Sequence, residues 1–203
     1  MKRTLILATC SALAVGCASA PKPNATYVNP DEAGKVTGVG IESQDIRAMT
    51  DRMVRDMLAN PVIARLQNPP YVIIDDAYFV NEGSQPINKR LITERLMIEL
   101  NRAAAGRMLF VERQAEDMVR EERERKRAGE IGAGANAPVR QVAGADYRLT
   151  GRIMTLDQID PKTGRQGRYY QITFKLVDLE SGLTVWSNLY EFKKEAEAGV
   201  LYR

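Results

Sequence analysis

The last third of the chain most narrows its possible folds, because apolar and polar residues alternate there along successive segments. The first segment covers residues 147–154, the second residues 169–179 and the third residues 183–192. Alternation with a period of two is typical of strands with one buried and one solvated face. The connecting residues 160–164 and 180–182 are rich in turn-forming Asp, Pro, Ser and Gly. The sequence therefore predicts an antiparallel meander.

Helical patterns come before these strands. From Ser43 to about Ala59, Met49, Met53 and Met57 repeat at helical spacing, with Ser43 as the predicted N-cap. The methionine stripe is interpreted as core filler, and an adaptable binding groove is the alternative. The next predicted elements are a short helix over 62–67 capped by Asn60 and a buried strand at 71–74 reaching toward Phe79. A helix that begins at Asn88 or Thr93 and ends at Gly106 follows, and then a strand at 109–111. Residues 116–127 are predicted to form a charged, solvated helix. Helices followed by strands indicate a single α+β layer sandwich.

The N-terminal segment has the features of a secretory signal. Lys2 and Arg3 precede an apolar run over residues 5–13, which is too short to remain as a membrane-spanning helix. Residues 13–17, Leu-Ala-Val-Gly-Cys, resemble the lipobox of bacterial lipoproteins. The resemblance implies cleavage after residue 16 and three acyl chains on Cys17, which would anchor the protein stably. The alternative is ordinary cleavage after Ala20.

These features divide the chain into four parts. Residues 1–16 are the predicted lipoprotein signal peptide, 17–35 the lipid anchor and tether, 36–195 the folded domain and 196–203 a C-terminal tail. The tether contains Pro, Asn and Gly and would extend to about 60 Å at most. Ala18 stands where inner-membrane lipoproteins of enteric bacteria often have aspartate, so the predicted location is the outer membrane, facing the periplasm.

The composition excludes several classes of chemistry. Histidine is absent, and the mature chain would have no free thiol, since Cys10 leaves with the signal and Cys17 is acylated. The commonest general base and the usual zinc and copper ligands are therefore missing. Loss of Lys2 and Arg3 lowers the net charge from +3 to +1, which gives no reason to expect nucleic acid as a partner. We expect no catalytic residue, no metal and no cofactor.

Asp75 and Asp76 are the pair that could still support catalysis, as in a carboxylate-dependent wall hydrolase. Neighbouring residues on a strand point to opposite faces, so this pair would not flank one bond. The sequence therefore favours a protein that is not an enzyme.

Three segments lie in order behind the lipobox: SQDIRAMTDRMVRDML at 43–58, GADYRLTG at 144–151 and SGLTVWS at 181–187. Together they resemble the LpoB-type lipoproteins, which are outer-membrane activators of bifunctional penicillin-binding proteins. The resemblance covers about residues 36–193. It implies a mixed, mainly antiparallel sheet with helices packed on it, akin to the N-terminal domain of TolB.

The resemblance also implies partners. A protein of this family reaches through the peptidoglycan, which it could also contact, and docks on a regulatory domain of a bifunctional penicillin-binding protein, the peptidoglycan synthase. It then stimulates glycan polymerisation and crosslinking. This chain departs from the enteric members, whose tethers are long and proline-rich.

An alternative function is a subunit of an envelope secretion or surface-appendage complex, similar to the curli-secretion channel. That protein would need membrane-inserting hairpins of about 9–11 residues per strand. Residues 169–179 and 183–192 have such lengths, but Arg, Lys and Trp side chains on them favour an ordinary sheet.

The candidate partner-binding residues are a basic and aromatic group in the predicted sheet and one loop. Arg148 and Arg152 fall on one face of their strand, and a solvated hairpin tip is the alternative for the residues after Asp160. Trp186 is either a core or an interface residue. The full set is Asn81, Glu82, Arg148, Arg152, Arg165, Arg168, Tyr169, Tyr170 and Trp186.

Overall fold

The computed structural model describes residues 27–34, 38–132 and 141–197. The predicted signal peptide, Cys17, most of the tether and most of the C-terminal tail lie outside the described residues. Within these three ranges, none of the helices has the length and apolar character needed to cross a membrane.

Three long strands form the antiparallel meander that the alternation predicts. They are β4, Tyr147–Ile159, β5, Gln166–Asp178, and β6, Thr184–Ala196, and each has 13 residues. β4 pairs with β5 and β5 with β6, both antiparallel. The strands extend beyond the predicted residues, β4 and β6 at their C-terminal ends and β5 at its N-terminal end, because the pairing between strands continues there.

Short parallel strands complete the sheet. β1, Tyr71–Ile73, pairs with β3, Leu109–Phe110, and with β4, while β2, Phe79–Asn81, pairs with β4 alone. The order is β3-β1-β4-β5-β6, with β2 beside β4. The sheet is therefore mixed and mainly antiparallel, as predicted, although β1 and β2 are separate strands.

In the described part of the chain, four α-helices accompany the sheet: α1, Ser43–Ala59, α2, Pro61–Ala64, α3, Lys89–Ala104, and α4, Glu116–Ala128. Asn60 caps α2 with its side chain, as predicted, and Asn88, one of the two predicted starts, caps α3. α2 ends before the predicted position 67.

Two predicted helix ends were wrong. The N-cap of α1 is Glu42, which forms a reciprocal capping box with Asp45, and not Ser43. The C-cap of α3 is Ala105, in the left-handed conformation at φ 48°, and not Gly106. Gly106 follows with φ 85°, so two successive left-handed residues turn the chain toward β3.

The core lies between one face of the sheet and the helices α1 and α3. Met49, Met53 and Met57 are at most 1% exposed, so the methionine stripe of α1 is core, as interpreted. It packs with apolar residues of α3 and the long strands. We call this side of β4, β5 and β6 the inner face and the opposite side the open face. α4 has no buried residue, in agreement with the predicted solvated helix.

Candidate functional site

Helices α1 and α3 pack on the inner face of the three long strands, and the described helices leave the open face uncovered. All buried residues of these strands belong to the inner face: Leu149, Ile153, Tyr170, Ile172, Phe174, Leu176 and Trp186. The open-face positions form five rows that cross all three strands: Thr150 with Lys175 and Ser187, Arg152 with Thr173 and Leu189, Met154 with Gln171 and Glu191, Leu156 with Tyr169 and Lys193, and Gln158 with Gly167 and Glu195.

The open face combines apolar and cationic side chains. Leu156 is 57% exposed, and Met154 and Leu189 are half-buried. The five rows contain three cations, Arg152, Lys175 and Lys193, and two carboxylates, Glu191 and Glu195, which gives a formal charge of 3 − 2 = +1. Surfaces that combine apolar contacts with arginine and tyrosine are typical of protein interfaces.

Two of the predicted arginines lie on the open side of β4, as their spacing indicates. Arg152 pairs with Glu82 at 3.4 Å, and both side chains are about half exposed. Arg148 donates a hydrogen bond from Nη2 to Oδ2 of Asp75 at 2.5 Å, and its guanidinium lies 4.4 Å from the ring centroid of Tyr78. Arg148 thus serves to hold the β1–β2 connection, whereas Arg152 and Glu82 remain accessible.

Tyr169 also lies on the open face. Its hydroxyl donates a hydrogen bond to Oε1 of Glu191 on the neighbouring strand. This hydrogen bond raises the pKa of Tyr169 and links β5 to β6 on the open face. Lys193 follows two residues after Glu191 and pairs with Glu195 at 3.0 Å, which lowers the pKa of Glu195.

Arg168 and Tyr170 flank Tyr169 in sequence but point to the inner face. Arg168 makes a bidentate pair with Asp157, with Nε–Oδ1 at 2.5 Å and Nη2–Oδ2 at 3.1 Å. This pairing lowers the pKa of Asp157 and raises that of Arg168. Tyr170 is fully buried, and burial raises its pKa. Its hydroxyl donates to Oε1 of Gln85 at 2.8 Å. The predicted cluster around the hairpin is therefore split between two faces.

Trp186 lies in the core, the first of the two interpretations. Its side chain is 4% exposed, and Nε1 donates a hydrogen bond to Oδ2 of Asp56 on α1 at 2.7 Å. The indole therefore joins β6 to the helix layer.

The remaining candidates lie at the end of the sheet where β4 turns into β5. Arg165 is exposed in this turn, and its carbonyl accepts a hydrogen bond from the Asp160 amide at 2.9 Å. Asn81 shapes the loop after β2, because Nδ2 donates to the Gln85 carbonyl at 2.8 Å and Oδ1 accepts from the Gly83 amide at 3.0 Å. Of the nine candidates, the structure thus brings together Glu82, Arg152 and Tyr169 beside or on the open face.

Asp75 and Asp76 do not lie on a strand, since β1 ends at Ile73. They stand in the loop before β2, and each has its own partner: Asp75 binds Arg148, and Oδ1 of Asp76 accepts from Nε2 of Gln114 at 3.4 Å. The two carboxylates therefore have separate partners, and the prediction that they alternate along a strand was wrong. Among the residues that the structure describes, no group of three or more Cys, Asp and Glu side chains could hold a metal ion.

Sequence reasoning missed the apolar members of the open face, Met154, Leu156 and Leu189. The alternation from residue 147 onward continues through Leu156, so the same signal that predicted β4 could have found two of them. The search for aromatic and basic side chains passed over them.

Comparisons with known proteins extend this description. The family model of the peptidoglycan-synthase activator LpoB matches residues 45–192. No curated protein sequence matches the chain.

Solved structures are also similar to it. The LpoB C-terminal domain from Escherichia coli is 18% identical, with a TM-score of 0.43 over 73% of this chain and 97% of that one. The corresponding domain from Salmonella enterica is 18% identical, with a TM-score of 0.41 over 73% and 98%. Lipoprotein GNA1162 from Neisseria meningitidis is 17% identical, with a TM-score of 0.34 over 63% and 85%.

Proposed function

Because the chain belongs to the LpoB family of peptidoglycan-synthase activators, we propose that it docks on a bifunctional peptidoglycan synthase, a penicillin-binding protein, and activates it without chemistry of its own. The observation that carries this proposal is the family match over residues 45–192, which covers most of α1, the strands β1 to β5 and the greater part of β6. The absence of histidine from the whole sequence is consistent with a regulator.

The docking surface that we propose is the open face with Glu82 beside it. A sheet surface that combines apolar and charged side chains suits a protein partner. Carboxylates on that partner would complement the cations Arg152, Lys175 and Lys193. Leu156 and Tyr169, which share one row, are the proposed centre of the contact.

We further propose that Cys17 is acylated and that this lipid anchors the domain to the outer membrane on its periplasmic side. The lipobox supports this part of the proposal, and three acyl chains would make the anchorage lasting. Docking would act by linkage: the protein stabilises the active conformation of the synthase if it binds that conformation more tightly than the inactive one.

Stimulation of a purified synthase tests the function. The mature chain with Cys17→Ser, which removes the lipid, is mixed with each bifunctional synthase of the same organism, and glycan polymerisation and crosslinking are followed. A several-fold increase in rate with at least one synthase is the expected result. No increase with any of them would reject the activator function.

The alternative of a subunit in a secretion or appendage complex is not favoured by the family match. Size-exclusion chromatography of the detergent-extracted protein separates the two functions, because a ring assembly predicts a large discrete oligomer and an activator does not.

A further inference from the structure

The residues that lead into the folded domain are attached to it at two levels of strength. The outer attachment, which we call the strap, consists of residues 29–34. The carbonyl of Pro30 accepts a hydrogen bond from Oγ of Ser43 at 2.8 Å, and Asp31 forms a salt bridge with Arg47. The side chains of Arg47 and Asp31 are 36% and 50% exposed. Such exposed contacts compete with water and are weak.

The inner attachment, which we call the clamp, consists of residues 38–42. Val39 is 5% exposed, and Oε1 of Gln85 accepts a hydrogen bond from the Ile41 amide at 3.1 Å. Nζ of Lys194 donates to the Gly40 carbonyl at 3.0 Å.

Two further features strengthen the clamp. Lys194 also pairs with Asp45 at 2.5 Å, and both side chains are at most 16% exposed. A Cβ at Gly40 would lie 2.8 Å from Nε2 of Gln85, so a side chain at this position would displace the amide whose Oε1 accepts the hydrogen bond from Ile41. Unlike the strap, the clamp is therefore buried and bonded both to β6, through Lys194, and to the loop after β2, through Gln85.

We propose that the strap detaches from α1 while the domain stays folded, and that its residues then add to the length of the tether. The difference between exposed and buried contacts predicts that tension from the membrane side detaches residues 29–34 first and stops at the clamp. Counted from Cys17, twelve residues (17–28) precede the strap and twenty-one residues (17–37) precede the clamp. Fully extended, these two lengths reach at most about 40 Å and about 70 Å.

The clamp fixes where the chain enters the domain. Lys194 and Gly40 meet near the end of β6, which lies beside the β4–β5 turn, since Ala196 pairs with Gln166. The β4–β5 turn therefore faces the proposed anchor, and the turn between β5 and β6 points away from it. This orientation and the role of the strap rest on the proposed lipid anchorage. Opening the strap would carry the open face at most about 30 Å further from the membrane toward a synthase.

Single-molecule force spectroscopy tests the strap directly and needs neither membrane nor synthase. The mature chain from residue 17 to 203 has one thiol, Cys17, and Glu180→Cys adds a second one in the exposed turn after β5. Handles attached to these two thiols apply force between the start of the tether and the turn after β5. We expect a low-force step of at most about 30 Å, the extended length of residues 29–37, before cooperative unfolding at higher force.

The double variant Ser43→Ala, Arg47→Gln is expected to lose the low-force step and keep the unfolding step, which shows that the domain is intact. Arg55→Gln, an exposed position on the same helix, is the matched control and should keep both steps. A single unfolding step in the unmodified chain, or an unchanged low-force step in the double variant, would overturn the proposal. Because the readout is mechanical, failure to activate a synthase would leave this result unaffected.

Discussion

The indole of Trp186 on β6 donates a hydrogen bond to the carboxylate of Asp56 on α1, with Nε1 and Oδ2 2.7 Å apart. The two residues are 130 positions apart in sequence, and the bond fixes the last strand against the first helix. The ring is 4% exposed, so the only tryptophan of the chain reports on packing between the sheet and α1.

Removing the acceptor should therefore destabilise the domain. Asp56→Ala is expected to lower the free energy of unfolding by about 1 kcal/mol, because the indole N–H stays buried without its partner. Urea unfolding followed by Trp186 fluorescence measures this change. Asp51→Ala, on the exposed side of the same helix, should change it by less than about 0.5 kcal/mol. Equal effects of the two variants would mean that the hydrogen bond does not stabilise the domain.

Gly151 should tolerate no side chain, because it lies beneath the buried ring of Phe79. A Cβ at this position would lie 2.2 Å from Cε2 and 2.4 Å from Cδ2 of that ring. Gly151→Ala is expected to cost about 1–3 kcal/mol of stability through overpacking. The cost should fall in a Phe79→Leu background, which a double-mutant cycle on thermal unfolding measures. Additive effects of the two substitutions would contradict the proposed clash.

The Asp157–Arg168 pair predicts a pH-dependent contribution to stability. Since the pairing lowers the pKa of Asp157 in the folded state, its contribution is present at neutral pH and is lost as the pH falls through that lowered pKa. Asp157→Asn should thus destabilise the domain at pH 7, by at most about 1 kcal/mol because the Asp157 side chain is 42% exposed. Denaturant unfolding at pH 7 and near pH 3 should show the difference between variant and unmodified protein shrinking in acid. A difference that stays constant over this range would exclude the pair as its source.

The sequence predicted the parts of the fold that local patterns specify. Alternation located the three long strands, and the 3–4 spacing of Met49, Met53 and Met57 located the core face of α1. Local patterns could not predict contacts between distant positions. The hydrogen bond from Arg148 to Asp75 joins residues that are 73 positions apart. Because of this bond Arg148 has a structural role, whereas Arg152 remains accessible beside Glu82.

The candidate site was predicted in part for the same reason. Counting tyrosines and arginines near the hairpin placed Arg168, Tyr169 and Tyr170 in one group, although consecutive strand residues point to opposite faces. Only the structure shows which of the two faces the helices cover, and hence that Tyr169 is the outward member.

Charge reversal tests the polar part of the open face. Arg152→Glu should weaken binding to the synthase and make it less sensitive to salt, since Arg152 is one of three cations in the rows. Lys126→Glu on α4 is the matched control, because this lysine is similarly exposed and lies outside the open face. Titration of labelled protein with synthase at two salt concentrations gives both dissociation constants. Equal weakening by the two variants would indicate a general charge effect and not a site.

The affinity of the Leu156→Asp variant for the activated synthase tests the central claim, docking through the open face, most directly. Leu156 is 57% exposed, so the substitution should leave the fold intact, yet it places a charge at the proposed centre of the contact. We predict at least a tenfold increase in Kd, whereas Met118→Asp, at a 66% exposed position on α4, should bind like the unmodified protein. An unchanged Kd for Leu156→Asp, with the synthase still stimulated, would contradict the account.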